Sequence, residues 1–256
     1  MSEIKRAELA TSTLKHRLIV DIGGEHSGEK QGKTHFALTA PAPIAYFNVD
    51  DRSEGVIDKF CDEKKIYRYD YHDMPRENKE HYEMRWEKFL KDFDEAVSSD
   101  EIRTIVWDTE SEIWEMRRLA AFGRAASIPT AFVPLNKDMR GFFNRVNETD
   151  KNFITITRAK KKYVGKLVPT RDGVKEVSTW DGSYELSGWS EVPGKVQVNT
   201  RIHYDMGESE FVLRVLNCGL DMGLSGTELR GDMCCFPYLA YSVFPDTDIT
   251  DWGGEW

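Results

Sequence analysis

The residues best suited to chemistry lie in the tripeptide Gly32-Lys33-Thr34. An apolar segment, residues 18–22, precedes it and the run His-Phe-Ala-Leu follows it, which is typical of a strand, a glycine-containing turn and a helix. The backbone N–H groups and the dipole at such a helix N-terminus favour an anion. Lys33 can reach terminal phosphates and the Thr34 hydroxyl can take a Mg²⁺ ligand position. The stretch therefore predicts a phosphate-binding loop.

The glycine spacing before this tripeptide departs from the usual pattern of Gly, four residues, then Gly-Lys-Ser/Thr. Ser27 stands where the first glycine is expected, so either Ser27 replaces it or the loop is longer and starts at Gly23 or Gly24. Glu25 and Glu29 should point outward because a carboxylate repels a triphosphate. The expected nucleotide-binding residues are Ser27, Gly28, Glu29, Lys30, Gln31, Gly32, Lys33, Thr34 and His35.

Three apolar segments further along the chain end in polar residues. Asp50 follows residues 44–49, Asp108 follows a β-branched run, and Thr157 and Arg158 follow residues 152–156. Open α/β sheets bind ligands at the carboxyl ends of their strands. Asp108 is expected to hold Mg²⁺ together with Thr34, and Asp108 or Ser111 could also cap the next helix. Thr157 or Arg158 is expected to sense the γ-phosphate, the alternative being ordinary polarity at a strand end.

Hydrophobic periodicity indicates the elements that position these residues. Helices are predicted at residues 33–40, 56–63, 79–98, 112–124 and 134–147, with another short helical segment at 234–244. The pattern predicts an α/β fold with a mainly parallel central sheet flanked by helices. Two alternating segments, 195–205 and 210–216, should add antiparallel strands toward the C-terminus.

The chain should divide into an N-terminal arm (1–16), a nucleotide-binding domain (17–217) and a C-terminal extension (218–256). The extension ends in an acidic segment with two tryptophans, residues 245–256. We expect this tail to be mobile; the alternatives are a partner-binding peptide and a strap on the core.

The net charge of −9 argues against a constitutive, tight nucleic-acid binder. A local basic cluster stands out nevertheless, and its lysines are Lys160, Lys161, Lys162 and Lys166. It could contact nucleic-acid phosphates or a neighbouring subunit's nucleotide, or it could be a solvated hairpin. No apolar run is long enough to span a bilayer, and we expect a cytoplasmic protein with reduced cysteines and no zinc.

The order of these motifs, together with residues 36–46 and 185–193, resembles bacteriophage-type AAA-family ATPases with a RecA-like core. Such proteins are similar to phage single-strand annealing proteins and to RecA-type recombinases. The resemblance covers residues 17–217 and implies ATP and Mg²⁺ binding, hydrolysis, a homo-oligomer and coupling to single-stranded DNA. A replication or recombination protein could bind the C-terminal tail.

The resemblance also implies catalytic roles for individual residues. Lys33 neutralises developing charge, and an acid after the second strand activates water, which places Asp50 in that role where the family has Glu. Asp51 and Glu54, in the same turn, and Glu110 are alternatives. A basic residue from the 158–166 segment could complete the site of a neighbouring subunit.

Two other functions stay open on the sequence alone. The long loop and the shorter acid at position 50 favour a nucleotide-gated DNA-binding or interaction module with little hydrolysis. A small-molecule kinase is less favoured, because no lid-like arginine cluster follows the core.

Overall fold

A nine-stranded β-sheet forms the centre of the protein in its computed structural model. The strands are β1 (Ile19–Gly24), β2 (Ile44–Asn48), β3 (Ile66–Asp70), β4 (Thr104–Asp108), β5 (Asn152–Thr170), β6 (Gly173–Ser187), β7 (Val198–Asp205), β8 (Glu210–Cys218) and β9 (Glu228–Arg230). Their order is β3-β2-β4-β5-β1-β7-β8-β9, and β6 pairs with β5 outside this path. The pairs among β3, β2, β4, β5, β1 and β7 are parallel, and β8 and β9 continue antiparallel.

The described residues are 15–25, 31–50, 55–71, 73–125, 129–170 and 173–254. Most of the predicted N-terminal arm, the loop residues Ser27, Gly28, Glu29 and Lys30, and the candidate acids Asp51 and Glu54 therefore lie outside the described part of the chain.

Five α-helices cover the two faces of the sheet. They are α1 (Lys33–Leu38), α2 (Lys79–Ser98), α3 (Glu110–Phe122), α4 (Val133–Asn147) and α5 (Phe236–Val243). Side chains alternate along each strand, so Val20 packs in one core cluster with α1 and α5, and Ile19 packs in the other with α2, α3 and α4. The predicted α/β class, with a mainly parallel sheet and antiparallel strands toward the C-terminus, is confirmed.

Two predicted elements differ from the structure. Residues 56–63 form only a 3₁₀ turn at Ile57–Lys59, because so few apolar residues cannot offset the cost of nucleating a helix. The basic segment after Thr157 forms the hairpin that was one alternative for it, but the strand predicted to end at Thr157 is continuous with the first strand of that hairpin. The strand β5 runs on without a break to Thr170, and β6 folds back along it.

The C-terminal tail is not mobile over residues 245–254, so that expectation is wrong there. The side chain of Trp252 is 3% exposed, and its ring stacks on Phe244 at 5.4 Å between centroids. Its indole N–H donates to the Thr247 hydroxyl at 2.8 Å. The free energy gained by burying so large an aromatic ring holds the segment on the protein despite its acidic composition. The alternative of a strap on the core is therefore the correct one for these residues.

Within the described ranges, no helix is both long and apolar enough to cross a membrane.

Candidate functional site

The carboxyl ends of the parallel strands bring the predicted polar residues to one edge of the sheet. The strand register pairs Asn48 with Asp108, Asp108 with Ile156, and Gly23 with Thr157. Helix α1 begins at Lys33, after the described end of β1 at the same edge. Residues that are far apart in the sequence therefore meet where an open α/β sheet binds its ligands.

Gly32 is the N-cap of helix α1 and has a backbone conformation that residues with a side chain rarely adopt. Its φ is +87°, in the left-handed region. A Cβ at this position would lie 2.9 Å from the Phe211 ring. Glycine is therefore required twice over at the turn that leads into Lys33 and Thr34.

Thr34 and Asp108 are in direct contact. The Thr34 hydroxyl donates to the Asp108 carboxylate at 2.7 Å, and the Tyr46 hydroxyl donates to the same oxygen at 2.6 Å. Burial raises the pKa of Asp108, and the two hydroxyl hydrogen bonds oppose that rise. Sequence reasoning missed Tyr46, although its hydroxyl is the one polar group in the apolar run of residues 44–47.

These oxygen donors suit a hard divalent cation. A hydroxyl and a buried carboxylate beside a phosphate loop are ligands that Mg²⁺ accepts, directly or through water. The residues present therefore fit the ion that the sequence predicts for Thr34 and Asp108.

Lys33 lies partly buried among charged neighbours. Burial lowers the pKa of its amine, Asp108, Asp50 and Asp21 raise it, and Arg158 lowers it. An ammonium group that has lost much of its hydration gains more from an incoming anion than an exposed one does. Lys33 is thus placed to bind phosphate.

Arg158 joins two carboxylates at this edge. Its guanidinium lies 2.6 Å from the Asp50 carboxylate and also pairs with Glu112 on α3. Burial lowers the pKa of the Arg158 guanidinium. The two carboxylates raise it by more, so the pKa lies above its ordinary value. Asp50, the expected water-activating acid, is therefore held by a cation in this structure.

The side chain of Thr157 is buried and contacts the neighbouring strand β1. Its hydroxyl donates to Asp21 at 3.2 Å, and the Thr155 hydroxyl donates to the same carboxylate at 2.9 Å. The guanidinium of Arg201 lies 3.8 Å from Asp21. Sequence reasoning missed this cluster, although an acid inside the apolar run of β1 was its signal.

Glu110, an alternative water-activating acid, is buried at the start of α3. One carboxylate oxygen accepts the backbone N–H of Trp189 at 3.1 Å. Its other oxygen has no hydrogen-bond partner among the described residues. Burial raises the pKa of Glu110 well above its ordinary value, and the side chain is packed behind the strand ends.

The remaining predicted loop residues lie at either side of the tripeptide. Gln31 is buried, whereas His35 is exposed and packs against Phe60 with 5.0 Å between ring centroids. Glu25 pairs with His203 at 3.1 Å and with Arg214, so strands β7 and β8 hold its carboxylate.

The predicted basic cluster lies on the exposed ribbon of β5 and β6. Lys160 pairs with Glu185 at 3.4 Å, and Lys162 lies 3.8 Å from Asp181. Lys161 lies over the Trp180 ring, 4.8 Å from its centroid. Lys166 is exposed on the same ribbon.

The fold and this edge of the sheet together define a P-loop nucleotide-binding protein of the α/β class. A family model described as an AAA domain matches residues 27–212, and the chain belongs to that family. No curated protein matches the chain.

A solved structure of the RadB recombinase is similar in fold. The alignment has a TM-score of 0.46 and 9% sequence identity, and it covers 84% of this chain and 86% of that chain.

Proposed function

We propose that this protein binds ATP with Mg²⁺ and hydrolyses it, in a DNA recombination or annealing process that involves single-stranded DNA and a homo-oligomer. The observation that carries the proposal is the contact between Thr34 and Asp108 at 2.7 Å, with Lys33 beside it. Family membership and the resemblance to recombinase-type phage ATPases support the choice of nucleotide and process.

In the proposed mechanism, Lys33 binds the terminal phosphates, and the loop residues from Ser27 to His35 enclose them. Thr34 and Asp108 would hold Mg²⁺, which when bound neutralises phosphate charge. Asp50 accepts a proton from the attacking water, with Glu54 as its alternative. Arg158, or Thr157, detects the γ-phosphate.

A second candidate is a nucleotide-gated binding module with little hydrolysis. The ion pair of Asp50 with Arg158 at 2.6 Å favours it, because a carboxylate engaged with a guanidinium is not positioned on an attacking water. Fast turnover requires Arg158 to move from Asp50 to another anion, and the γ-phosphate is the anion at hand.

ATP turnover, measured with and without Mg²⁺ and with single-stranded DNA titrated in, separates the candidates. The proposed function predicts Mg²⁺-dependent hydrolysis that DNA stimulates. Nucleotide binding without turnover supports the module, and phosphate transfer to a small acceptor supports a kinase. The affinity for DNA should fall as the salt concentration increases. An affinity that does not depend on salt concentration would argue against DNA as the partner.

A further inference from the structure

Strand β5 leaves the parallel part of the sheet after Thr157. From Arg158 onward it pairs, among the described strands, only with β6, and the two strands form a ribbon over residues 158–187, which we call the arm. Most of the described side chains between residues 160 and 185 are exposed. A two-stranded ribbon without a second layer is marginally stable alone, so the arm gains from a partner that covers it.

One face of the arm carries exposed apolar side chains. Tyr163 pairs with Trp180 across the ribbon, and positions 167 and 174 lie on the same face because side chains alternate along a strand. Leu167 is 74% exposed, Val174 68% and Tyr163 57%. Apolar residues clustered on an exposed sheet face indicate a surface that another molecule covers.

The arm and the rest of the chain carry opposite charge. Seven basic and four acidic residues give the arm a net charge of +3. The net charge of the whole chain is −9, so the residues outside the arm carry −12. The rest of a second copy therefore carries a net charge opposite to that of the arm, and electrostatic complementarity favours that association.

Nucleic acid fits this surface less well. Lys160 and Lys162 are paired with acids of the arm itself. The two most exposed apolar side chains of this face, Leu167 and Val174, are aliphatic and do not stack on bases, and Lys161 already lies over the Trp180 ring. The acidic remainder of the chain also repels a polyanion.

We propose that the arm docks on the acidic surface of a second copy of this chain, with its apolar face buried in the contact. Chain-to-chain assembly through this arm would place the net positive charge of the arm against the net negative charge of the second copy.

The root of the arm ties this contact to the nucleotide site. The Arg158 backbone N–H donates to the Ser111 hydroxyl at 3.0 Å, and that hydroxyl donates to the Ser187 carbonyl oxygen. The Arg158 side chain pairs with Asp50. Docking of the arm should therefore shift with bound nucleotide, a consequence that rests on the proposed function.

Sedimentation of the full chain over a range of protein and salt concentrations tests the contact. The parent protein should self-associate, and more weakly at high salt. The double variant Leu167→Asp/Val174→Asp should weaken association at least about tenfold. Met206→Asp is the matched control, since Met206 is 82% exposed in the turn between β7 and β8, and it should associate like the parent.

A parent protein that stays monomeric at low salt would overturn the proposal, as would a folded arm variant that associates like the parent. So would a monomeric parent whose DNA binding is lost in the arm variant. Circular dichroism checks folding, and the milder double variant Leu167→Ser/Val174→Ser, on the same face, replaces the first variant if that one is unfolded. Thermal shift with Mg-ATP reports nucleotide binding separately: association through the arm without any ATP binding would sink only the proposed function.

Discussion

At the scale of single residues, Asp21 is a carboxyl group buried in the strand that leads to the phosphate loop. Burial raises its pKa to about 6, and the Thr155 hydroxyl, Arg201, the Thr157 hydroxyl and Lys33 oppose that rise. The folded protein therefore holds a proton on Asp21 at a pH where the unfolded chain has lost it.

The sign of the effect follows from that raised pKa. The stabilising contribution of protonated Asp21 is complete below about pH 4 and is lost as the pH rises to about 6. Relative to Asp21→Asn, which does not titrate, the unfolding free energy of the parent should fall by about 3 kcal/mol across this window. Denaturant unfolding at several pH values measures it.

Asp62→Asn, at an exposed position, is the control. It should change the dependence of the unfolding free energy on pH far less than Asp21→Asn does. A difference between the parent and Asp21→Asn that does not vary with pH would contradict a buried, raised Asp21.

Strand-end residues could be predicted from sequence because their positions depend only on local pattern. Asp108 follows a β-branched apolar run, and parallel strands share one carboxyl edge. The contact of Tyr46 with Asp108 could not be predicted, since it joins residues 62 positions apart and depends on the register of two strands. The pairing of Arg158 with Asp50 has the same origin.

At the scale of elements, helix α3 is fixed at its start against residues 188–189. Thr109 is its N-cap and accepts the Glu112 backbone N–H at 3.3 Å, where the sequence had suggested Asp108 or Ser111. Gly188 has φ +122°, and a Cβ there would lie 2.2 Å from the Glu110 carboxylate and 3.1 Å from the Ser111 backbone. The close approach leaves no room for a side chain.

Gly188→Ala should therefore destabilise the protein by about 2–4 kcal/mol, from backbone strain together with steric overlap. Gly182→Ala is the matched control: its φ is +92°, but no atom lies within 4 Å of the added Cβ. It should cost about 1 kcal/mol, because it adds strain alone. Equal losses for the two variants in denaturant unfolding would contradict the packing described for Gly188.

At the scale of the whole molecule, the C-terminal segment completes the core under helix α1. Phe236 and Trp252 share one buried cluster with Phe36 and Leu38. The acidic composition of residues 245–256 did not indicate that this segment packs on the core. Composition reflects the average polarity of a segment and does not show which single aromatic ring is buried. The extent of β5 was hidden for a related reason: its lysines suit a solvated strand and a loop equally well.

Trp252→Ala should lower the unfolding free energy by about 3–5 kcal/mol, through lost burial and the cavity left behind. Trp180→Ala removes the same side chain from a position that is 41% exposed and should cost less than about 1 kcal/mol. Similar losses in thermal or denaturant unfolding would mean that the tail does not hold the core.

The central claim is that Lys33, Thr34 and Asp108 form a working nucleotide site. ATP turnover of purified Lys33→Ala against the parent tests it most directly, with Lys59→Ala, an exposed lysine on the 3₁₀ turn, as control. Lys33→Ala should lose at least about 100-fold in turnover and bind ATP more weakly, and Lys59→Ala should match the parent. Hydrolysis by Lys33→Ala at the parent rate would contradict the claim.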